Sequence, residues 1–537
     1  MRSIIASANG GGYDAAPMSD AKPAAPETMS STNPRSSDTE VFAVHGADPE
    51  VLAYAMAKYS RSALSMKESL KELNEQKAEK FLNTFYFQYG HRSIADLAHV
   101  ALAVEKLSLL AAIVLVDEQR WDGQERSTRY QDYKKASYYV PDFGTDIDAV
   151  HAYRAEVDAL FAAYELCSED VFRYLCSITP RPDDMKPEAY ERTLRARAFD
   201  VSRYLLPLAT NTSLGQIVNA RTLENQVSRL LTDEHPEIVN LGGLLKEAAK
   251  EPAWVVEHPR FQWFMQELRL ENENMWREAQ AIFERQVRVS PTLVKYAEAS
   301  AYQKETREAL KQAAAELMKN APLDPAPLVD LLEDEPLEVE LATTLLYEHC
   351  HYSYRQMRAT VESLSAQCRN EIIALGTAHR GRHDELLRAF ASGQKFRFDI
   401  LQDIGGFRDM HRHRRCVQIG QGFTTVHGYD TPEEIVKAGA QRTYDDAMKR
   451  AAAASAQRAG TEASEYLIPL AYRKRTLFKM DFAEVVYISE LRTKPEGHIS
   501  YRRVAYAMYE AAVKRYPALA GIFRVKDISE PVDLLKR

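Results

Sequence analysis

The sequence has few cysteines, no long apolar run and none of the common glycine-rich phosphate-binding motifs. Its five cysteines include no CxxC pair, which argues against a disulfide framework or a zinc site and favours reduced thiols in a cytoplasm. The most apolar run, SLLAAIVLV at 108–116, is too short to span a bilayer. Neither GxGxxG nor the P-loop motif is present. We therefore expect a soluble cytoplasmic protein without a metal site.

Acidic residues outnumber basic ones, yet one segment is strongly basic. The 537 residues carry 77 Asp and Glu against 69 Lys and Arg, a formal net charge of −8, which argues against a protein that coats nucleic acid. The segment FRDMHRHRRCVQ (407–418) nevertheless places four arginines and two histidines within residues 408–416. Like charges at that spacing repel each other. They need acidic side chains, nucleic-acid phosphates or a phosphorylated small molecule as counter-charges.

The chain is long enough for several domains, and two segments have the composition of regions that bury no core. Residues 1–40 are rich in Ser, Ala, Pro and Gly and predict a disordered tail. The segment NAPLDPAPLVDLLEDEP (320–336) combines four prolines with a cluster of acids, which predicts a linker. These boundaries predict a first domain over 41–319 and a second over 337–537.

A repeated motif indicates that the two domains are related. SRYLLPLAT (202–210) recurs as SEYLIPLAY (464–472). The same offset aligns further polar residues, namely Asn219 with Asp481 and, after one residue of slippage, Arg229 with Arg492. We infer a tandem duplication. Because hydrophobic residues recur mostly at three- and four-residue steps, we predict an α+β fold that is helix-rich overall, with a small mixed sheet and several long helices in each domain.

The triplet Arg412, His413 and Arg414 is the first candidate for ligand binding. Guanidinium groups match pairs of acceptor oxygens on phosphates or planar carbonyl edges. A histidine between them can contact a ring or move a proton. The alternative is a solvated basic turn whose charges pair with acids such as Asp403 and Asp409.

The second candidate lies in the first half, in the segment DGQERSTRYQDY (122–133). It places a carboxylate, a hydroxyl and a guanidinium close together, at Glu125, Ser127 and Arg129. This combination suits a nucleoside monophosphate, with Arg and Ser on the phosphate and Glu on the sugar or ring. The alternative is an ordinary polar loop.

Together these segments resemble the flavin-dependent thymidylate synthases, whose hallmark is Arg-His-Arg, seven further residues, and then Ser-x-Arg-Tyr. The resemblance covers about 45–290 and 335–525 and is carried by GHRSIAD, ERSTRY, YLLPLATNTSLGQIVNART and FRDMHRHRR. It implies an enzyme that reductively methylates dUMP to dTMP. Methylenetetrahydrofolate would supply the carbon, and NADPH would supply a hydride through bound FAD.

The hallmark is divided between the two halves. The second half keeps 412–414 but has Gly422 at the position of the family's serine. The first half keeps the Ser-x-Arg-Tyr at 127–130 but reads Asp-Glu-Gln at 117–119, and it alone carries the family's Asn-x-Arg and later Asn, at 219–225. Sites of the family lie between subunits of a tetramer. The resemblance therefore implies composite sites built from both halves and a homodimer that imitates the tetramer.

The resemblance also implies a role for each matched residue. The flavin would be held by Arg412, His413, Arg414, His91, Ser93, Asn219, Arg221 and Asn225. The phosphate of dUMP would be bound by Ser127 and Arg129, with Glu125 beside it. Arg492, or Arg229, would be the catalytic group that stabilises negative charge on the pyrimidine.

Two other interpretations stay open. The departures from the hallmark, which include Gly422, also fit a degenerate homologue that binds a nucleotide or flavin without turnover, or a scaffold. Binding to the RNA backbone through 408–415 is the least favoured interpretation, because the chain is acidic and no RNA-binding fold motif is present.

Overall fold

The computed structural model describes seven ranges of the chain, namely residues 48–58, 75–83, 92–133, 137–254, 259–283, 287–381 and 384–536. Residues 47–537 form one compact unit. The predicted tail over 1–40 and the predicted flavin ligand His91 lie outside the described residues. No helix within the seven ranges is long and apolar enough to cross a membrane.

The described chain is rich in helices, which we number in chain order. Those up to residue 319 are α1 (Pro49–Lys58), α2 (Glu75–Leu82), α3 (Leu109–Leu115), α4 (Ile147–Ile178), α5 (Pro187–Ser202), α6 (Ala220–Leu231), α7 (Pro236–Lys250), α8 (Pro259–Glu271), α9 (Glu273–Phe283) and α10 (Ala301–Leu317). Those after it are α11 (Leu337–Tyr347), α12 (Tyr354–Ser363), α13 (Ala366–Leu375), α14 (Ile404–Met410), α15 (Glu433–Lys437), α16 (Gln441–Gln457), α17 (Glu462–Tyr466), α18 (Phe482–Arg492) and α19 (Ile499–Arg515).

The strands form two small sheets. They are β1 (His99–Ser108), β2 (Asp122–Glu125), β3 (Asn211–Asn219), β4 (Val329–Leu331), β5 (Phe396–Asp403), β6 (Val417–Gly420) and β7 (Arg473–Met480). The first sheet has the order β1-β3-β2 and the second has the order β4-β5-β7-β6. The prediction of a helix-rich α+β fold with two related halves is confirmed.

The pairings between these strands are antiparallel, so the prediction of mixed sheets was wrong. The connection between β2 and β3 gives the reason. It contains α4 and α5, two consecutive helices joined by a short loop that pack on each other. Such a helical hairpin returns the chain to the end of the sheet that it left, so the next strand runs in the opposite direction.

The topology of the first half is repeated in the second. Strands β5, β7 and β6 are ordered as β1, β3 and β2 are, and the added strand β4 lies at the edge beside β5. In both halves the central strand leads directly into a helix whose N-cap side chain accepts a backbone N–H: Asn219 from Thr222 at 2.8 Å, and Asp481 from Glu484 at 2.9 Å. Two unlike sequences thus start equivalent helices by the same chemistry.

The repeated motif lies at the contact between the halves. Pro207 and Pro469, which occupy the same position in the repeat, form an antiparallel bridge with each other. Leu208 N–H donates to Ile468 C=O at 2.9 Å, and Leu470 N–H donates to Leu206 C=O at 3.0 Å. Each bond is the image of the other, since the donors and the acceptors are equivalent residues. A pseudo-twofold axis therefore passes between the two prolines.

One hydrophobic core spans both halves at this axis. The motif residues Leu206, Leu208, Leu467 and Leu470 are fully buried within it. The predicted linker over 320–336 contains β4, which pairs with β5. The domain boundaries stay a prediction, because no compact subdivision separates the halves within 47–537.

A carboxylate–hydroxyl contact is repeated in the two halves with its partners exchanged. Glu237 of α7 accepts from Ser108 N–H at 2.9 Å, from Ser108 Oγ at 2.7 Å and from the hydroxyl of Tyr466 in the other half at 2.7 Å. In the second half the partners are exchanged: Asp403 caps α14 and accepts from the hydroxyl of Ser500 at the start of α19. The carboxylate and the hydroxyl have changed places while the contact is kept.

Replacement of Glu237 by Ala should destabilise the fold, because three donors lose one charged acceptor. We expect the free energy of unfolding to fall by about 3 kcal/mol, measured by chemical denaturation. The control is Glu247→Ala on the exposed face of the same helix, which should change it by less than about 0.5 kcal/mol. Equal losses in the two variants would contradict this role for Glu237.

Candidate functional site

A cleft of 1040 Å³ opens between the two halves. The first half contributes the end of α3, one face of α6 and residues 296–303 to its walls. The second half contributes residues 384–388, the end of α14 and parts of β6 and β7. A cleft of this volume has room for a nucleotide or a dinucleotide.

Helix α6 presents a row of polar side chains at the cleft. Arg221, Asn225 and Arg229 are spaced by four residues and so lie on one helical face. Asn225 and Arg229 line the cleft, and Arg221 reaches Glu385 on its rim with an Nη2–Oε1 distance of 3.3 Å. Asn219 caps this helix. Three residues of the predicted flavin set, Asn219, Arg221 and Asn225, are thus brought together on one element with the predicted catalytic residue Arg229.

Ser93 lies beside this row. It is exposed on the 3-10 turn Arg92–Leu97. Asp96 of the same turn faces Arg221, with 3.5 Å between carboxylate and guanidinium. The predicted flavin residues of the first half that the structure describes therefore converge at one end of α6.

The acidic triplet of the first half borders the same cleft, and two of its members hold arginines. Asp117 forms an ion pair with Arg388 at 2.6 Å, and Glu118 forms one with Arg229 at 2.8 Å. Burial raises the pKa of Asp117, but Arg388, His411 and Arg229 together outweigh burial, and the pKa lies well below its usual value. This wall is therefore close to neutral in spite of its acids.

The floor of the cleft combines one buried cation with aromatic rings. Lys474 of β7 is 6% exposed, and its Nζ lies 4.3 Å from the ring centre of Phe423 and 5.5 Å from that of Phe407. Burial lowers the pKa of Lys474 to about 8, so the ammonium form still predominates at neutral pH. Nothing in the sequence reasoning had selected this lysine.

His411, at the end of α14, also lines the cleft. Its imidazole is neutral and can accept a hydrogen bond. Its Nδ1 lies 2.8 Å from Oε1 of Gln418. Since that oxygen can only accept, the proton is assigned to Nδ1 and Nε2 carries a lone pair. Burial lowers the pKa of His411 to about 4, which keeps the ring neutral.

The basic triplet 412–414 does not line the cleft. It lies beside a second, small cavity, which Arg412 and Arg414 line. Arg412 is exposed. His413 is buried between Arg492, whose Nε donates to its Nε2 at 2.8 Å, and Glu484, at 3.3 Å from its Nδ1. His413 and Arg492 correspond to Glu118 and Arg229 in the first half. The imidazole of His413 thus accepts from Arg492 as the carboxylate of Glu118 accepts from Arg229.

Glu125 adjoins the triplet across the contact between the halves. It lines a small cavity of about 20 Å³ together with Arg412 and Arg414 and forms an ion pair with Arg408. Arg414 lies over the ring of Trp121 at 5.2 Å, and burial lowers its pKa to about 10. The segments that the sequence pairs, 125–130 and 412–414, therefore do meet within one chain.

Arg129 lies near the small cavity as well, but its N–H donors are already bonded to other groups of the protein. Its Nε and Nη2 each donate to Asp200 at 2.9 Å, and its remaining bonds go to Tyr501 and to the Glu496 carbonyl at 3.1 Å. Ser127 is half-buried, and its Oγ accepts the N–H of Arg129 at 3.2 Å. Their predicted role on phosphate stays a prediction, and in the described chain Arg129 serves the protein itself.

The predicted set thus divides between two places. Asn225 and Arg229 line the cleft, Arg221 lies on the same helix and Asn219 caps it. Glu125, Arg412 and Arg414 line the small cavity. The remaining predicted residues lie in contacts near it, which join Ser127 to Arg129 and Arg492 to His413. Sequence reasoning missed Lys474, Arg388 and His411. One signal was available for Lys474: the strand segment RKRTLFKM carries four basic residues although it directly follows the core motif.

Comparison with known proteins identifies the family. The family model described as thymidylate synthase complementing protein matches residues 42–251 and 328–518. The chain belongs to this family, and the two matches fit a tandem duplication. The segment between them, which contains α8, α9 and α10, is not matched.

Two of the relatives match over most of the chain, and a third matches over part of it. The UPF0159 protein of Chlamydia pneumoniae is 28% identical over 530 residues, which cover 92% of this chain and 93% of the relative. The UPF0159 protein of Thermoplasma acidophilum is 24% identical, over 88% of this chain and 95% of the relative. A flavin-dependent thymidylate synthase of Clostridium tetani is 26% identical over 38% of this chain and 80% of that protein.

Similar solved structures have a lower sequence identity to the chain than these relatives. A flavin-dependent thymidylate synthase of Helicobacter pylori, complexed with FAD and dUMP, is 16% identical with a TM-score of 0.25, over 38% of this chain and 89% of that one. The family assignment rests on the match to the sequence model.

Replacement of Asp200 by Asn should destabilise the protein in a pH-dependent manner. Burial raises the pKa of Asp200, but His498, Arg203 and Arg129 outweigh it and hold the pKa below its usual value. Because the folded-state pKa lies below the unfolded value of about 3.9, this stabilisation is complete above about pH 5 and is lost as the pH falls toward the folded-state pKa.

We expect Asp200→Asn to lower the free energy of unfolding by about 3 kcal/mol at pH 7, and this difference should shrink below about pH 4. Urea denaturation at a series of pH values measures both. Asp170→Asn, which removes a surface pair with Arg173, is the control. A difference that stays constant down to pH 3 would contradict the assignment.

Proposed function

We propose that the chain is a FAD-dependent thymidylate synthase, which methylates dUMP to dTMP with methylenetetrahydrofolate and NADPH as co-substrates, at the cleft between its halves. The observation that carries the proposal is the row of Arg221, Asn225 and Arg229 along this cleft, in a member of the thymidylate synthase complementing family. The reduced state of all five cysteines agrees with a cytoplasmic enzyme.

The residues at the cleft fit a flavin dinucleotide. Arginine and asparagine donors suit pyrophosphate oxygens and the polar edge of the flavin ring. Tyr296, 54% exposed on the cleft wall, offers a ring for stacking. When bound, FAD supplies the hydride chemistry that amino-acid side chains lack. The chain's own part is to bind, orient and exclude water.

Arg229 is the better placed of the two proposed catalytic arginines. It lines the cleft, whereas Arg492 is bound to His413 beside the small cavity. The Nε and Nη2 of Arg229 donate to Glu118. Its Nη1 makes no hydrogen bond within the described residues. This group would stabilise negative charge that develops on the pyrimidine.

The triplet 412–414 does not line this cleft, so a site that combines it with α6 requires a second copy of the chain. Arg412 is exposed and accessible to such a copy. We therefore propose a homodimer in which Arg412, the exposed member of the triplet, reaches from one chain into the cleft of the other. The pair would imitate the tetramer of the family with half the number of chains.

A second candidate function is binding without turnover. It is favoured by the Asp117–Arg388 and Glu118–Arg229 ion pairs, which occupy two arginines at the cleft with the protein's own carboxylates. The two candidates differ in one measurement, which is dUMP-dependent oxidation of NADPH. An enzyme shows it, and a binding homologue shows flavin without it.

Flavin content tests the position of the cofactor. We expect the purified protein to show a flavin absorption band, and Asn225→Ala to weaken FAD binding at least about tenfold through loss of a hydrogen-bonding group. The control is Asn240→Ala, an exposed amide on α7, which should bind FAD as the unmodified chain does. Equal affinity in both variants would place the flavin elsewhere.

A mixing experiment tests whether sites are shared between chains. Arg412→Ala and Asn225→Ala should each have little activity alone at FAD concentrations below the weakened affinity, and should regain activity when co-expressed with separate tags, because one of the two sites in each mixed dimer is then intact. Random pairing makes half of the dimers mixed, so we expect about a quarter of normal activity. If both parts act within one chain, the mixture stays inactive.

A further inference from the structure

Lys474 has unused hydrogen-bonding capacity. An ammonium group carries three N–H donors, and within the described chain that of Lys474 has one acceptor, the carbonyl of Gln421. No carboxylate of the described residues lies within 4.0 Å of it.

Lys479, five residues further along the same strand, provides the contrast. It is also buried, and it donates to Glu340 at 2.9 Å, to Thr344 at 3.2 Å and to the carbonyl of Ala391 at 2.8 Å. The fold thus satisfies one buried lysine of β7 completely and leaves the other with donors to spare.

Thr476 adds a second unused group on the same face of the strand. Alternate residues of a strand share a face, and both Lys474 and Thr476 line the cleft. Thr476 is fully buried, and its Oγ1 has no hydrogen-bond partner among the described residues. The hydroxyl of Thr476 is therefore available to donate to a group bound beside Lys474.

Gly420 keeps the space beside this pair open. It is the partner of Thr476 across β6 and β7. A Cβ at this position would lie 3.3 Å from Cε of Lys474, 3.4 Å from its Nζ and 3.7 Å from Oγ1 of Thr476. Any other side chain would therefore crowd the ammonium group and fill the place where a bound oxygen would contact both residues.

This arrangement is costly for the protein alone. Burial holds the pKa of Lys474 below its usual value and outweighs three carboxylates, those of Glu465, Asp117 and Glu348, which attract the ammonium from beyond contact distance. An anionic oxygen bound by the ammonium and the hydroxyl would offset this effect of burial. The pair therefore has the chemistry of a receptor for an anion.

The proposed reaction indicates which anion is concerned. The substrate carries a phosphate, and the residues that the family motif would place on it are not at the cleft. Arg129 is bound to Asp200 in the other place, and Gly422 stands where the second half should have a serine. The cleft therefore lacks a motif-derived phosphate ligand.

We infer that Lys474 and Thr476 bind the phosphate of the pyrimidine nucleotide at the floor of the cleft, in place of the motif's serine and arginine. This inference rests on the proposed function. Phe423, whose ring centre lies 4.3 Å from the ammonium, excludes water from the ion pair. Arg229, which the first half contributes to the cleft, is left for the pyrimidine.

Calorimetric titration with dUMP and with deoxyuridine, which lacks the phosphate, tests the inference in the FAD-loaded protein. We expect Lys474→Met to weaken dUMP binding about 10- to 100-fold, the loss of charge-assisted hydrogen bonds, and to leave the affinity for deoxyuridine unchanged. Thr476→Val should weaken dUMP binding about threefold or more. Lys474→Arg should restore part of the loss.

Two controls separate a binding defect from misfolding. Lys311→Met removes a surface lysine that pairs with Glu234 and should behave as the unmodified chain. The melting temperature of Lys474→Met should be equal or higher, since an apolar side chain replaces a buried charge.

The outcomes distinguish the inference from the function on which it rests. Flavin binding with no affinity for dUMP in the unmodified chain would overturn the proposed substrate and the inference together. If dUMP binds and Lys474→Met retains full affinity while Ser127→Ala loses it, the inference is wrong. The phosphate then lies at the small cavity.

Discussion

The reciprocal backbone pairing of Leu206 to Leu208 with Ile468 to Leu470 is the contact on which the rest of the structure depends. Proline has no N–H to donate, so the residues that flank the two central prolines form the hydrogen bonds. The N–H groups of each half donate to carbonyl groups of the other half. Because these groups are buried, leaving them unpaired would be costly. The halves are therefore held face to face, and everything between them is a shared surface.

Because the two halves share this surface, equivalent positions in them can carry different side chains that serve different sites. At the ends of α3 and α14 the axis relates Glu118 to His413, and each binds the arginine of its own half, Arg229 or Arg492. The geometry is kept while the charge differs. One copy became a wide cleft with nearly neutral walls. The other became a tightly paired basic cluster around a small cavity.

The buried charges at the two places differ in how completely the protein pairs them. Arg129 with Asp200 is satisfied by the protein, and so is Lys479 with Glu340. Lys474 is not, although it lies on the same strand as Lys479. A buried charge without a carboxylate in contact lowers stability, and a bound anionic ligand can restore it. This difference between neighbours is the reason for assigning function to one lysine and structure to the other.

The sequence by itself determined the duplication, the helix-rich fold and the residues of the family motif, because each of these is written in local patterns. It could place Arg221, Asn225 and Arg229 on one helical face, since four-residue spacing fixes that face. Only the tertiary structure decided which motif residues lie at the cleft and which lie near the small cavity. The reason is that Glu118, Asp200 and Lys474 contact residues that are far from them in the sequence. It also decided that Arg129 would be engaged and Lys474 left available, which depends on where each guanidinium or ammonium finds a carboxylate.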